Sequence, residues 1–430
     1  MRRFGSTVVP FLLITAMSLS CSSTSTDAGP ATTVPPDPPA TSTHREDEET
    51  SEEEVVPTTL DCTDLSACPE IGIGGDPPAT LPGGSPSPLR GYADPSVRYD
   101  PDSDRLWMAY SWPSMHIDGT QRVSRIETHL AESTNGGASW DLVQPLWVAE
   151  PATDPATGGS GFTDHEVANL ARQEAPDGVR WIGARLDLFV PAGGGLGVRP
   201  PNSFRIVVSA AASPPELANA PSVTLGAAAT HPGWDVSLDL TKLDDEVAGC
   251  AMWNEPALLA EPEVVYLAVR CLRFEPATRS PDWDTSELFV FRAQTAGAVG
   301  DWTWTYRGRL AGRAEAVELG GDGLTQIDLA YARDGTLVAL LTPDGWDADS
   351  RDFVHHGLRV VEVASLATPS LARRADGSLA VRAVISADDG PLGSGASTYD
   401  PELAAGIIFA RRSITEASLV GSMHGTGVHP

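Results

Sequence analysis

The chain is nearly without lysine. Lys242 stands alone, so all but one of its 29 basic side chains are arginine. Set against 58 acidic side chains, these leave a formal net charge of −29. So acidic a surface repels phosphate and argues against nucleic acid as a partner. The sequence also lacks a glycine-rich phosphate loop, a dinucleotide fingerprint and zinc-type cysteine–histidine spacing, which leaves no signal for nucleotide or zinc chemistry. Amphipathic helical periodicity is missing from the body of the chain, so an α/β fold is set aside. The apolar run at residues 8 to 19 is shorter than the roughly 20 residues a helix needs to cross a bilayer.

That run has a different use. MRRFGSTVVPFLLITAMSLSC begins with Arg2 and Arg3, continues through the apolar stretch and ends in small residues before Cys21. It resembles a bacterial lipoprotein signal. The resemblance implies that residues 1 to 21 direct export, that Cys21 is lipidated, and that the protein touches the membrane only through this N-terminal anchor. Residues 22 to 60 are rich in Ser, Thr, Pro, Asp and Glu and include HREDEETSEEEVV. Such a stretch cannot bury enough surface to fold, and it reads as a disordered acidic tether ahead of one domain, 61 to 430. An exported chain favours disulfides. Cys62 and Cys68 are close enough to close a small loop. Cys250 and Cys271 fall opposite each other if a turn lies between Ala260 and Glu261, and would then staple a hairpin.

Within that domain five stretches share one pattern: an acid, a short strand-like run, a turn and a second apolar strand. They are GYADPSVRYDPDSDRLWMAYSW, DHEVANLARQEAPDGVRWIGARLDLF, WNEPALLAEPEVVYLAVRC, QIDLAYARDGTLVALLTP and TYDPELAAGIIFARR. Their acids are Asp94, Glu166, Glu255, Asp328 and Asp400, at intervals of 72, 89, 73 and 72 residues. Units of this length built from short β runs predict an all-β, five-bladed β-propeller, with a six-bladed ring as the alternative. The last unit is short, so a segment within 69 to 90 is expected to complete it. The acids would then ring one mouth of the central channel.

Carboxylates so crowded need a resolution. Arginines could neutralise them, and the second strands carry Arg185, Arg270 and Arg411 near one register. The same arginines could grip an anionic substrate. A cation such as calcium could sit in the channel. One acid could stay protonated while another serves as base, as glycoside hydrolysis requires. Trp112 and Trp253 flank the inner-strand ends and could stack on sugar rings. His165 precedes Glu166, and His355 and His356 adjoin each other on a strand or loop.

STNGGASW, 133 to 140, resembles the Asp-box (BNR repeat) of sialidases, with Asn135 in the place of the aspartate. The sialidase resemblance implies roles for Glu255, for Arg270 fifteen residues on, and for Tyr399 as nucleophile. YADP carries Ala93 where sialidases have an arginine, so carboxylate binding would pass to Arg185, Arg90 or Arg411. ADPSV and NEPAL also resemble the acid sites of five-bladed arabinanase/xylosidase-like hydrolases. That resemblance implies Asp94 as base or nucleophile, Glu255 as acid, and either Asp328 or Glu166 as the third carboxylate. Two functions follow: a glycoside hydrolase working at the channel mouth, or a non-catalytic propeller that binds a glycan, a cation or a protein partner.

Overall fold

The computed structural model describes residues 56–118, 121–192, 204–228, 233–274, 281–347, 352–387, 393–415 and 418–430. The expected signal peptide, Cys21 and most of the tether lie outside these residues. The described chain is all-β in its main elements, with one short α-helix, Arg313–Glu318, and a few 3-10 turns among the described residues.

Strands follow one another in sequence as antiparallel meanders. The first sheet runs Ala93–Asp100, Arg105–Asp118, Gln121–Ser133 and Trp140–Trp147, with Ile73–Gly74 added in parallel at its outer edge. The second contains Ser160–Ala175, Gly178–Pro191, Phe204–Ala211 and Ser222–Gly226. The third contains Met252–Glu261, Val264–Phe274, Pro281–Gln294 and Thr303–Ala311. A large sheet holds two further meanders. One runs Gly323–Tyr331, Leu337–Asp347, Leu358–Ser365 and Val381–Ser386, and the other Gly393–Thr398, Ile408–Thr415 and Ser418–Gly425. Asp352–His356 joins them, pairing with Leu337–Asp347 on one side and Gly393–Thr398 on the other.

The leading strand of each meander packs on the leading strand of the next. Ala93–Asp100 meets Ser160–Ala175, then Met252–Glu261, Gly323–Tyr331 and Gly393–Thr398 follow, and the last returns to Ala93–Asp100. Burial follows position in this ring. The third sheet's second strand, VVYLAVRCLRF, is buried along nearly all its length and reads as a continuous apolar run. Its outermost strand, TWTYRGRLA, alternates exposed and buried residues because only one face meets a neighbour. Between the second and third sheets, fully buried Ile206, Val208, Leu258, Phe289 and Phe291 form the largest core. Each such side chain contributes about 1.5–3 kcal/mol on burial.

The N-terminal segment is threaded through two sheets. Thr58–Asp61, which begins in the stretch read from composition as the tether and ends at the first residue of the domain, is a strand parallel to Val381–Ser386. Glu70–Ile71 and Leu89–Gly91 both pair with Ser418–Gly425, so the segment 69 to 90 does complete the last meander, as expected. Gly91 crosses Gly421 backbone to backbone at φ 104°, an approach no Cβ would survive. Between these strands Asp76, 4% exposed, accepts from Tyr110 Oη at 2.5 Å and pairs with His129 Nδ1 at 2.8 Å. This fastens the segment to the first sheet.

Both expected disulfides are present, Cys62–Cys68 and Cys250–Cys271. The hairpin they predict turns two residues later than expected, at Pro262-Glu263, and Cys250 reaches Cys271 from just outside the strand. In STNGGASW, Asn135 Oδ1 accepts from Ser139 N at 3.0 Å and from Ser133 Oγ at 2.8 Å. Trp140 is buried beneath it.

Candidate active site

Each leading strand slips register once against its partner, between Ala93 and Ser96, Glu166 and Asn169, Asn254 and Ala257, Leu324 and Ile327, and Gly395 and Ser397. At four of the slips a residue other than glycine takes a left-handed backbone: Asp94 (φ 49°), Val167 (51°), Glu255 (55°) and Ala396 (52°). Such a conformation costs about 1–2 kcal/mol and persists only where its surroundings hold it. They do so here. Val167 N donates to Ser111 Oγ and Ala396 N to Thr342 Oγ1, each at 3.1 Å and each to the adjacent meander. The slip swings the residue out of the ladder towards the mouth of the ring. Pro95 and Pro256 follow Asp94 and Glu255 at the point where the ladder is interrupted and no amide donor is needed.

Asp94 and Glu255 are thus matched positions in the first and third sheets, both partly open to solvent. Gln326, at the slip of the next leading strand, donates from Nε2 to Asp94 Oδ1 at 2.9 Å, and its amide also faces Glu255. Asn254 Nδ2 donates to Glu255 Oε1 at 3.2 Å, and Oε2 has no hydrogen-bond partner. Crowding by protein atoms, then the negative charge of Asp94, pushes the Glu255 carboxyl up to about 8; Arg270 opposes this and Glu166 adds to it. At neutral pH, Glu255 therefore carries a proton beside an acidic neighbour.

Arg270 sits opposite Asn254 in the hairpin, 3% exposed. Its Nε donates to Ser286 Oγ at 2.9 Å, and that hydroxyl passes on to Leu324 O. Across the sheet boundary Asp344, fully buried, accepts from Thr325 Oγ1 at 2.9 Å and pairs with His355 Nδ1 at 2.6 Å. Burial and the nearby Arg412 hold His355 below the ordinary histidine range, so it is a neutral donor to Asp344.

The expected ring of five equivalent acids is not what the slips produce. Asp94, Glu166 and Glu255 come together with Arg270. Glu166 lies one residue before its slip, where Val167 is the match of Asp94. Asp328 lies deeper, level with Val97 and Leu258, and is 2% exposed. It accepts from Arg98 Nη2 at 2.7 Å, Asn169 Nδ2 at 2.9 Å and Thr398 Oγ1 at 2.8 Å, so the first two sheets and the other meander of its own sheet converge on it. Asn169 also accepts from Leu258 N, bringing in the third sheet. Arg98 is thus the cation that neutralises Asp328, and among the described residues there is no group of three or more His, Cys, Asp and Glu that could hold a metal ion.

Asp400 and Tyr399 fall at the opposite end. Asp400 accepts from Tyr99 N and Glu402 N, and Tyr399 is fully buried against Ile407 and Phe409. They border a separate cavity of about 400 Å³ that includes Arg98, Arg172, Leu258 and Tyr331. Tyr399 is three residues past Ala396, roughly 10 Å along the strand, which removes it as a nucleophile for this site. Trp253 is also fully buried, packed edge-on against Phe289 and Phe291, and offers no face to a sugar. Trp112 is partly exposed, but one face stacks on His129 at 4.9 Å.

Arg185 pairs with Asp187 at 2.8 Å and lies over the Trp147 ring at 4.5 Å; His165 shares the same aspartate at 2.6 Å. Burial raises Asp187, but Arg185 and His165 outweigh it and hold the carboxyl well below the usual range. Arg411 stands opposite Ser394 in the last meander. Gln326, Asn254 and Asp344 had no signal in the sequence beyond lying near a repeat.

No family model and no curated protein sequence matches the chain. Among solved structures, it is similar to one described as a glycoside hydrolase, with TM-score 0.42 and 11% identity over 84% of this chain and 92% of that one. A mutant of Trypanosoma rangeli sialidase displaying trans-sialidase activity gives TM-score 0.36 and 11% identity, covering 83% and 58%. An α-L-arabinanase of Cellvibrio cellulosa complexed with arabinohexaose gives TM-score 0.33 and 12% identity, covering 67% and 76%.

Proposed function

We propose that the chain folds as a five-bladed β-propeller and hydrolyses a glycosidic bond at the mouth that holds Asp94 and Glu255. The observation that carries this reading is the split between two facing carboxyls. Glu255 is held protonated, while Asp94, tied to the Gln326 amide, lies close enough for its negative charge to act on Glu255, as paired carboxyls of a glycosidase would. Glu255 protonates the leaving oxygen. Asp94 acts as base or nucleophile, Glu166 adds negative charge that keeps the proton on Glu255, and Gln326 orients both partners. Of the two candidates for the third carboxylate, Glu166 is favoured because Asp328 is committed to Arg98. Arg270 is buried and bonded to Ser286, so it holds the hairpin instead of gripping substrate.

The non-catalytic alternative expects the acids to be locked to arginines. Asp328 fits that pattern; Asp94 and Glu255, whose contacts are amides, support the catalytic one. Two disulfides support an oxidising compartment, and the protein is proposed to be exported and anchored through lipidated Cys21. Mass spectrometry of the mature N-terminus tests the anchor: an acylated Cys21 is expected.

The enzymatic test is hydrolysis of a panel of chromogenic arabinosides, xylosides, fructosides and sialosides by wild type, Glu255→Gln and Asp94→Asn. The wild type should cleave at least one, with each variant reduced about 10²–10⁴-fold. Wild-type inactivity across the panel, with the fold intact, would favour a binding propeller.

A further inference from the structure

The end of the ring away from Asp94 and Glu255 has an opening of its own, and all five meanders build it. Arg98 and Tyr99, Arg172 and Glu174, Leu259 to Pro262, Ala330 and Tyr331, and Tyr399 to Pro401 stand at or just past the far ends of the five leading strands. Together they line the cavity of about 400 Å³, a volume within the range of small-molecule sites. Tyr99 lies five residues beyond Asp94, roughly 16 Å along an extended strand, so one sugar ring does not span both ends. We propose that this cavity is a second ligand site, and that it takes an uncharged sugar ring.

Charge excludes one large class of ligand. The two cations of the wall are spent within the protein. Arg98 gives both terminal nitrogens to Asp328, with further bonds to Val97 O and Leu329 O. Arg172 bonds to Asp100, Asp102 and Glu174 through its three nitrogens. Glu261 and Asp400 add further acids to the wall. Two arginines thus stand against six acids, and a pocket with so negative a field repels carboxylated, phosphorylated and sulfated ligands.

What is left on the wall asks for a group that both donates and accepts. Asp400 is 8% exposed. Each of its carboxyl oxygens accepts one amide, Oδ1 from Glu402 and Oδ2 from Tyr99, which leaves lone pairs for a further donor. Its chain neighbour Tyr399 is fully buried, and among the side chains lining the cavity its hydroxyl is the one buried polar group without a hydrogen-bond partner. A ligand hydroxyl can give a proton to the acid and accept one from the phenol, whereas an ammonium can do only the first. Leu259, Pro262, Ala330 and Pro401 supply apolar surface. Tyr331, 43% exposed, ends its strand with an aromatic ring left open. An apolar ring face beside a few convergent polar groups suits a sugar, whose own faces are apolar and whose rim is hydroxyl.

This proposal does not rest on hydrolysis at the other mouth. Its test is fluorine NMR of the protein with its seven tyrosines replaced by 3-fluorotyrosine. The signals of Tyr331 and Tyr399 are assigned by their loss in Tyr331→Phe and Tyr399→Phe. The neutral probes are methyl glucoside, methyl xyloside and methyl arabinofuranoside; the anionic ones are methyl glucuronide and inorganic phosphate. At least one neutral glycoside should shift both signals saturably, and the anions should leave them in place. Tyr331→Ala, at an exposed position, should weaken that glycoside about tenfold as read at Tyr399, with an unchanged Tm. The shifts should persist in Glu255→Gln. Shifts that vanish in that variant put the sugar at the other mouth and overturn the proposal. So does a glucuronide or phosphate that binds as tightly, or a panel in which no neutral glycoside moves either signal of the folded protein. If the wild type cleaves no glycoside but the signals move as stated, this site stands and only the reaction assigned to the other mouth is wrong.

Discussion

At the scale of single residues, Glu255 is a group whose function works against its stability. Its folded proton affinity lies above that of an unfolded glutamate, about 8 against 4.5. Between these values the unfolded chain releases a proton that the folded one keeps, so stability falls as pH rises through that window and levels off above it. Glu255→Gln removes the effect. Its Tm should match wild type near pH 4 and exceed it at pH 8.5, by the equivalent of about 2–4 kcal/mol after allowing for partial exposure. Thermal melts across pH check this, and parallel curves for the two proteins would refute the raised affinity. Asp94 and Glu255 were legible in the sequence because each opens a strand-like run and is followed by proline, although Asp400 carries the same mark at the other end of its strand. Asp328 was misread for want of that marker: an acid a few residues deeper in a strand looks the same in a linear alignment. Gln326 was not legible at all, since an amide acquires its role only from the two acids that the ring brings to it.

At the scale of elements, the leading strands are edges, and an edge leaves amides unpaired. Here the neighbouring leading strand supplies the missing acceptors through side chains. Ser96 accepts from Leu170 N, Asn169 from Leu258 N, and Thr398 from Val97 N. Asp328 ties the side chains of Asn169 and Thr398 to Arg98, so this buried polar layer holds the sheets in register. Asp328→Ala should strand Arg98 and the Asn169 amide and cost about 3–5 kcal/mol. Urea denaturation measures it; a loss below about 1 kcal/mol would show the layer to be dispensable. The strands themselves were largely visible as short apolar runs between turns. Their slips were not, because a bulge is a matter of pairing between two strands and leaves little trace in either one alone.

For the molecule as a whole, the N-terminal segment is the fastener. Its anchor at Asp76 includes His129, whose charge is disfavoured by burial but favoured more by Asp76 and Glu127, so that its proton affinity is raised. The stabilisation is fully present below the unfolded histidine value of 6.5 and fades as pH climbs through the higher folded one. Limited proteolysis within residues 56 to 91 should therefore accelerate above neutral pH, and His129→Gln should be cleaved at a rate that no longer changes with pH in that range. Composition placed the start of order at residue 61, too late by three residues, because a strand as short and polar as TTLD draws its stability from its partner. That partner is remote: Thr58 pairs with Ala383. A ribosome adding 5–20 residues per second needs roughly 15–65 s to travel between them. For that interval every new copy carries its first strand with nowhere to put it, and a chain that stops short never acquires the means to shut.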